Sequence, residues 1–468
     1  MARSVRGPSG APRGGRGPSG AARDRWGAEV SATGGPLPSG RTTTDVLLKM
    51  VASNRAGDGV GMYSVCSAER FVLEAAMARA ATDRTLVCIE STCNQVNQFG
   101  GYTGLTPAGF RDFVAQVAGE SGFDPAHVIL GGDHLGPYVW RAEPAAKAMA
   151  QARDLVREYV LAGYTKIHLD TSMRLGGAPG TPGSPPDDTL VALRTAELAA
   201  IAEAAWGGLP AGSPPPLYVV GTEVPIPGGV TAGAEAPAVT PPQRAARTLE
   251  LTGAAFAAGG LEAAWERVIA LVVQPGVEFG SASVCAYDRQ KAITLVDWLE
   301  RQRPLLFEAH STDYQSAAAL TRLVDDHFAI LKVGPALTHA FCEAVFELEG
   351  VERELLGATD ARATIAGAGL SRLRETVERA LASDPSHWRP YAADESDEQR
   401  ALAAFGYSDR VRYYWARPDV RAALARLLGN LSAQHGAAAP PVAVPPATFI
   451  RDRIGAVIEP YAKACGRR

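Results

Sequence analysis

Three of the eight histidines stand at the downstream ends of short apolar runs, each with a carboxylate close by. The segments are Gly131–Pro137 with Asp133 and His134, Lys166–Asp170 with His168, and Phe307–Thr312 with His310. Gly221–Pro225 brings Glu223 into the same setting. A neutral imidazole binds a divalent transition ion, and a carboxylate beside it can move a proton. His134, Glu223 and His310 together make a candidate metal site, with an open position for Lewis-acid chemistry. Zn2+ is the first expectation, with Mn2+, Ni2+ or Co2+ as alternatives. Asp133 is the candidate proton carrier, with Glu278 and Asp170 next. Any one of these residues alone reads more simply as a hydrogen-bonded rim residue. Their shared place along the chain's repeating pattern favours a site.

Other residues have the chemistry of substrate contacts. His168 and Asp170 are two apart on one run, so they face the same side. They read as further ligands or sugar-hydroxyl contacts, or as a buried His held by a strand-end carboxylate. Glu90 precedes a loop with four amides in five positions, Asn94 to Gln98. Amides donate and accept, which suits a polyhydroxylated ligand, so Glu90, Asn94 and Asn97 are candidate contacts. Ser311, Thr312 and Gly334 follow the seventh and eighth runs, where parallel barrels commonly hold phosphate. Lys332 could form a Schiff base with a ketose, but the candidate metal site weighs against it. Arg410 and Arg412 alternate beside Tyr413, Tyr414 and Trp415. Guanidinium forks match phosphate or vicinal hydroxyls. The plainer reading is surface ion pairs beside packing aromatics.

These residues need elements to converge them. Eight short apolar runs read as strands buried on both faces: 60–66, 86–90, 127–131, 166–170, 217–222, 269–274, 305–309 and 329–333. Helical periodicity fills the gaps at 68–81, 106–121, 142–162, 189–206, 243–258 with 261–267, 290–302 and 316–327. Eight strands alternating with helices predict a TIM (β/α)8 barrel, whose strand C-termini share one mouth. No GxGxxG follows the first strand, which argues against a doubly wound sheet. The Gly- and Pro-rich connections 173–188 and 225–242 read equally as lids or as surface insertions. Past Thr338 only helices are expected, at 340–355, 361–383, 395–404, 417–433 and 446–464. The expected organisation is a tail at 1–42, a barrel at 43–345 and a helical C-terminal region at 346–468 packed on the barrel.

Composition sets outer bounds. A net charge of −4 argues against electrostatic nucleic-acid binding. No apolar run reaches the length of a membrane-spanning helix. The six cysteines are scattered without a CxxC pair, so reduced thiols and a cytoplasmic setting are expected. Residues 1–42 repeat Arg-Gly-Pro-Ser-Gly at 6–10 and 16–20 and carry few large apolar side chains. Disorder is expected there, and the apolar core of a secretory signal is missing.

Several long segments resemble one family. They are 64–67, Asn94–Gly104, Gly131–Pro137, Lys166–Asp170, Glu308–Gln315, Leu331–Thr338 and Ser408–Trp415. Together they resemble the Z-type, non-catalytic subunits of class II D-tagatose-bisphosphate aldolase, the GatZ/KbaZ family, over roughly residues 51 to 415. The resemblance implies a role in galactitol, N-acetylgalactosamine or tagatose catabolism. It also implies partnership with a separate aldolase subunit or, as for some relatives, metal-dependent ketohexose(-phosphate) 4-epimerisation. No Walker-type or kinase glycine loop is visible, so kinase activity is not expected. The candidate residues favour an active enzyme with aldol-type chemistry on a ketohexose or its phosphate. The alternative is a stabilising, non-catalytic subunit. A homo-oligomer is expected.

Overall fold

The computed structural model describes residues 42–177, 185–221, 237–356, 369–394, 396–435 and 444–466. Eight parallel strands close into a barrel in chain order. They are β1 (Met62–Val65), β2 (Val87–Thr92), β3 (Val128–Leu135), β4 (Lys166–Leu169), β5 (Leu217–Val220), β6 (Val268–Val272), β7 (Leu306–Ala309) and β8 (Phe328–Val333). β8 pairs back onto β1, with Met62 opposite Ile330 and Val65 opposite Val333. All eight strands overlap the apolar runs, because strands sandwiched between a filled lumen and a helix ring are apolar on both faces.

β3 departs from expectation and sets up the site. It runs on through Asp133 and His134 to Leu135. Gly132 pairs with Ile167 and Leu135 with Leu169, so three steps on β3 face two on β4. This bulge puts His134 at φ 50°, in the left-handed region that β-carbon residues rarely adopt. Successive strand residues normally point to opposite faces. Here the bulge lets Asp133 and His134 both line the same cleft. Gly131 makes room beside them: a Cβ there would lie 2.5 Å from Cγ of Glu90.

The upstream end of the barrel is closed by an element not read from the sequence, the helix Thr43–Arg55. Thr42 and Asp45 form a capping box at its start. Its Val46, Leu47, Met50 and Val51 pack with Met62, Ile129, Val219 and Ile330 in one apolar cluster. Nδ2 of Asn54 donates to the carbonyls of Val60 and Val324 and anchors it. A short antiparallel ribbon, Glu278–Phe279 with Val284–Cys285, also went unread.

The expected division at 345/346 does not hold, because it cuts the helix Pro335–Leu356. The last helix, Pro446–Ala464, packs against Ala317–Asp325, Arg70–Asp83 and Pro335–Leu356. It therefore stands in the helix ring of the barrel and is not an outer layer. Tyr461 Oη donates to the Thr312 carbonyl at 2.6 Å, and the Gly61 amide donates to the Cys465 carbonyl. Residues 1–41, and 178–184 and 222–236 in the two long connections, lie outside the described residues. Among those described, no helix is long and apolar enough to cross a membrane.

Candidate active site

Three imidazoles meet at the downstream mouth. The ring centres of His134, His168 and His310 are 5.2, 4.9 and 5.3 Å apart, pair by pair. Imidazoles on one tetrahedral ion, with metal–nitrogen bonds of about 2.0–2.1 Å, place their centres roughly 5 Å apart. Each ring is backed by a carboxylate. His134 Nδ1 lies 2.9 Å from Asp170 Oδ2, His168 Nδ1 2.8 Å from Asp133 Oδ1, and His310 Nε2 3.0 Å from Glu308 Oε1. A ring nitrogen held in this way fixes the tautomer and presents the other nitrogen to a ligand. For His168 that other nitrogen, Nε2, is buried without a hydrogen-bond partner. The backbone N–H of His134 is 3.0 Å from Asp133 Oδ1 and 3.2 Å from His168 Nδ1. With Asp133 ionised, the Nδ1 proton of His168 goes to the carboxylate.

Below the imidazoles the lumen is charged, where such barrels usually pack branched apolar side chains. Lys166 Nζ lies 2.6 Å from both Glu90 Oε1 and Glu308 Oε2, and all three side chains are fully buried. Lys332 Nζ lies 2.9 Å from Asp133 Oδ2 and also pairs with Glu90. Ser64 Oγ donates to Glu90 Oε1 at 2.8 Å. Four carboxylates, Glu90, Asp133, Asp170 and Glu308, thus face two ammonium groups. With all three imidazoles neutral, as metal ligands must be, the excess would be two negative charges, which a divalent cation would balance.

The imidazoles and carboxylates shift in different directions. Burial alone would raise the Asp133 carboxyl, but Lys332, His134 and His310 hold it well below its usual range. Burial likewise opposes ionisation of Asp170, yet the hydrogen bond and proximity of His134, with a bond from Ser172, bring it to about 2. Burial pushes His310 down to about 4, despite Asp133 and Glu308. Burial also lowers His134, but Asp133 and Asp170 outweigh it and raise the imidazole. Lys332 is raised against burial by Asp133, Cys66, Glu90 and Glu308. It is a locked ammonium group, which removes it as an amine nucleophile.

One ligand atom from each of Asp133, His168, Glu308 and His310 falls within 4.8 Å of the others. His134 is outside that group of ligand atoms, although its ring centre lies as close to those of His168 and His310 as theirs lie to each other, and one oxygen of Glu308 is committed to Lys166.

Sequence comparison decides the family. The profile of the family described as "D-tagatose-1,6-bisphosphate aldolase subunit GatZ/KbaZ-like" matches residues 47–466. The chain belongs to the GatZ/KbaZ-like family. It is 47% identical over 384 residues to a protein of Agrobacterium fabrum named D-tagatose 6-phosphate 4-epimerase, covering 82% of this chain and 87% of that one. It also resembles the crystal structure of a probable tagatose 6 phosphate kinase from Sinorhizobium meliloti 1021. That match has 40% identity and a TM-score of 0.75, over 86% of this chain and all of that one.

In this GatZ/KbaZ-like chain a cleft of about 620 Å³, open mouth included, lies above the imidazoles. Asp133, His134, His310, Lys332, Ser311, Gly334, Asn94 and Arg412 line it, as the sequence suggested for most of them. Glu90 and His168 sit beneath it, fully buried. Asp170 orients His134, with Oδ1 taken by Ser172. Glu278 is buried beside the cleft with its carboxyl raised by burial, against the Phe279 amide and Ser311. Glu223 lies outside the described residues.

Three expected contacts have structural jobs instead. Asn97 braces its own loop, donating to the Cys93 carbonyl and accepting from the Phe99 and Gly101 amides. Thr312 is fully buried, and its hydroxyl donates to the Lys332 carbonyl at 2.6 Å. Arg410 is 2% exposed with its guanidinium 3.3 Å over the Tyr391 ring, so it is not on the cleft wall.

The sequence reading missed Lys166, Glu308, Tyr102 and Asp313. Lys166 and Glu308 had a signal: each precedes a candidate His by two on its strand, which puts it on the same face. Asp313 had none, since its placement depends on the start of the helix Pro335–Leu356.

Proposed function

We propose that this chain is a metal-dependent ketohexose-phosphate 4-epimerase that interconverts tagatose 6-phosphate and fructose 6-phosphate by aldol-type chemistry. The observation that carries the proposal is the buried triangle of His134, His168 and His310, each ring backed by a carboxylate, at the floor of a cleft. A passive subunit has no need of such a cluster, whose burial is costly unless each charge is paired. The name of the Agrobacterium relative favours the same substrate.

His134, His168 and His310 are the proposed ligands of a divalent ion. When bound, such an ion supplies Lewis-acid polarisation of the ketose carbonyl. Asp133 takes the proton of the C4 hydroxyl as the C3–C4 bond breaks, and the bond pair stays on the C1–C3 fragment. The aldehyde fragment turns over in the cleft. The bond re-forms on its other face, and Asp133 returns the proton to the C4 oxygen. Because Asp133 is a weak base here, it holds the proton only while the bond is open. Lys332 presents an ammonium group beside Asp133 and steadies the charge that moves through the site. Asn94 and Ser311 are placed to bind sugar hydroxyls.

The family description favours a second reading, a subunit that supports a separate class II aldolase subunit. The two readings part when the purified chain is assayed alone with a divalent ion and tagatose 6-phosphate. Formation of fructose 6-phosphate, reduced about 10²–10⁴-fold in Asp133→Asn, supports the enzyme. No conversion alone, with full aldolase activity only on mixing with the partner subunit, supports the second reading.

A further inference from the structure

The fold's customary phosphate subsite is already filled by the chain itself. In parallel barrels that subsite uses backbone amides after the seventh and eighth strands and at a nearby helix start. Here the amides of Gly334 and Ala336 donate to Oδ1 of Asp313, at 3.0 and 2.8 Å. Asp313 is 2% exposed, so it is not a surface cap that solvent can displace. Burial raises its carboxyl, against those amides, to about 6, so at neutral pH the nest holds a negative charge.

A cation reaches the same cleft from elsewhere. Arg412 follows Ser408 and Asp409 on a short turn that lies over the mouth. The Tyr407 amide donates to the Ser281 carbonyl at 2.9 Å, and Tyr314 Oη donates to the Tyr407 carbonyl at 2.6 Å. Arg412 Nη2 donates to Tyr413 Oη at 3.0 Å, and Nη1 to the carbonyls of Ser408 and Asp409. These bonds fix the guanidinium plane against the cleft wall, where Tyr102 meets Tyr413 edge-on at 4.7 Å. The other cation on the wall, Lys332, is tied to Asp133 and Glu90.

We infer that the anionic end of the substrate is held by Arg412, from the C-terminal segment, while Asp313 closes the amide nest at Gly334 and Ala336 to it. The inference rests on the epimerase reading for the identity of the sugar, but not for the place of its charge. Arg412 is then the residue that separates phosphorylated from free ketohexoses. Its fork geometry and charge-assisted bonds suit a phosphate monoester.

The test compares tagatose 6-phosphate with free tagatose in wild-type, Arg412→Met, Arg412→Lys and Asp313→Asn. Loss of a charge-assisted contact in Arg412→Met should raise KM for the phosphorylated sugar roughly 10- to 100-fold, with little change for tagatose. Arg412→Lys should restore part of the loss. Asp313→Asn keeps an acceptor in the nest, so the preference for phosphate should survive. Equal losses on both sugars in Arg412→Met, with a lowered melting temperature, would reduce Arg412 to a staple and overturn the inference. So would a phosphate preference that disappears in Asp313→Asn alone. If the wild-type protein converts neither sugar, the epimerase reading has failed separately. Calorimetric binding of the same two sugars to wild-type and Arg412→Met then decides the role of Arg412, and equal affinities for both sugars in both proteins would refute it.

Discussion

His134 and Asp170 meet at 2.9 Å across the bulge that β3 makes beside β4. The contact ties together two features with different origins. The bulge turns His134 into the cleft at the cost of a left-handed backbone, and the carboxylate then fixes which ring nitrogen faces the other imidazoles. Strained residues of this kind persist where the surroundings over-determine them.

Asp170→Asn should therefore weaken metal binding without unfolding the chain. Partners that orient a metal-bound histidine typically contribute about 10- to 100-fold in affinity. Competition with a chelator of known affinity measures the change. Unaltered affinity would mean that Asp170 is a strand-end brace with no hold on the site.

Lys166 offers a test of the charged lumen. It is the cation between Glu90 and Glu308, all three fully buried. Lys166→Met leaves two carboxylates with less compensation, and breaking a buried pair in this way costs about 3–5 kcal/mol. Denaturant unfolding of the variant should show that loss at neutral pH. A loss under about 1 kcal/mol, the scale of exposed pairs, would mean that water reaches the lumen.

How much of this was legible in the sequence follows from range. The eight strands were readable because burial on both faces leaves a local apolar run. The candidate imidazoles were readable because barrel strands deliver their downstream ends to one place. The bulge was not, because it is a property of the β3–β4 register and neither strand alone encodes it. Asn97 and Thr312 were misread for a related reason. Their amide and hydroxyl satisfy nearby backbone groups, and residue type alone does not separate that use from ligand binding. Arg410 and Arg412 look alike in sequence, yet only the turn beginning at Asp409 sends one over Tyr391 and the other to the cleft. The helix Thr43–Arg55 carries its apolar residues at helical spacing, but its partner surface is the barrel floor, which exists only after closure.

Acid should destabilise the metal-stripped protein before the ordinary carboxylate range is reached. Burial holds the folded His310 at about 4, against about 6.5 for an unfolded histidine. Between those values the unfolded chain binds a proton that the folded one refuses, so stability falls as pH falls. His134 is raised, so its stabilising contribution grows as pH falls towards about 6.5 and is essentially complete below that, where it no longer offsets the loss. Asp170, lowered to about 2 through His134, adds its own loss as pH falls further, below about 3.9. Urea unfolding at about pH 6 and about pH 5, both below the unfolded histidine value and above the folded His310 value, checks the sign. Equal or greater stability at pH 5 would contradict the buried, uncharged His310.

His134, His168 and His310 are the proposed ligands of a catalytic divalent ion. Titrating metal back into the stripped protein, while following fructose 6-phosphate formation from tagatose 6-phosphate, tests that assignment most directly. The expected result is turnover that rises in proportion to bound metal and levels off at one ion per chain, with His168→Ala failing to bind or turn over. Full turnover in the stripped protein, or one tightly bound ion retained by His168→Ala, would contradict it.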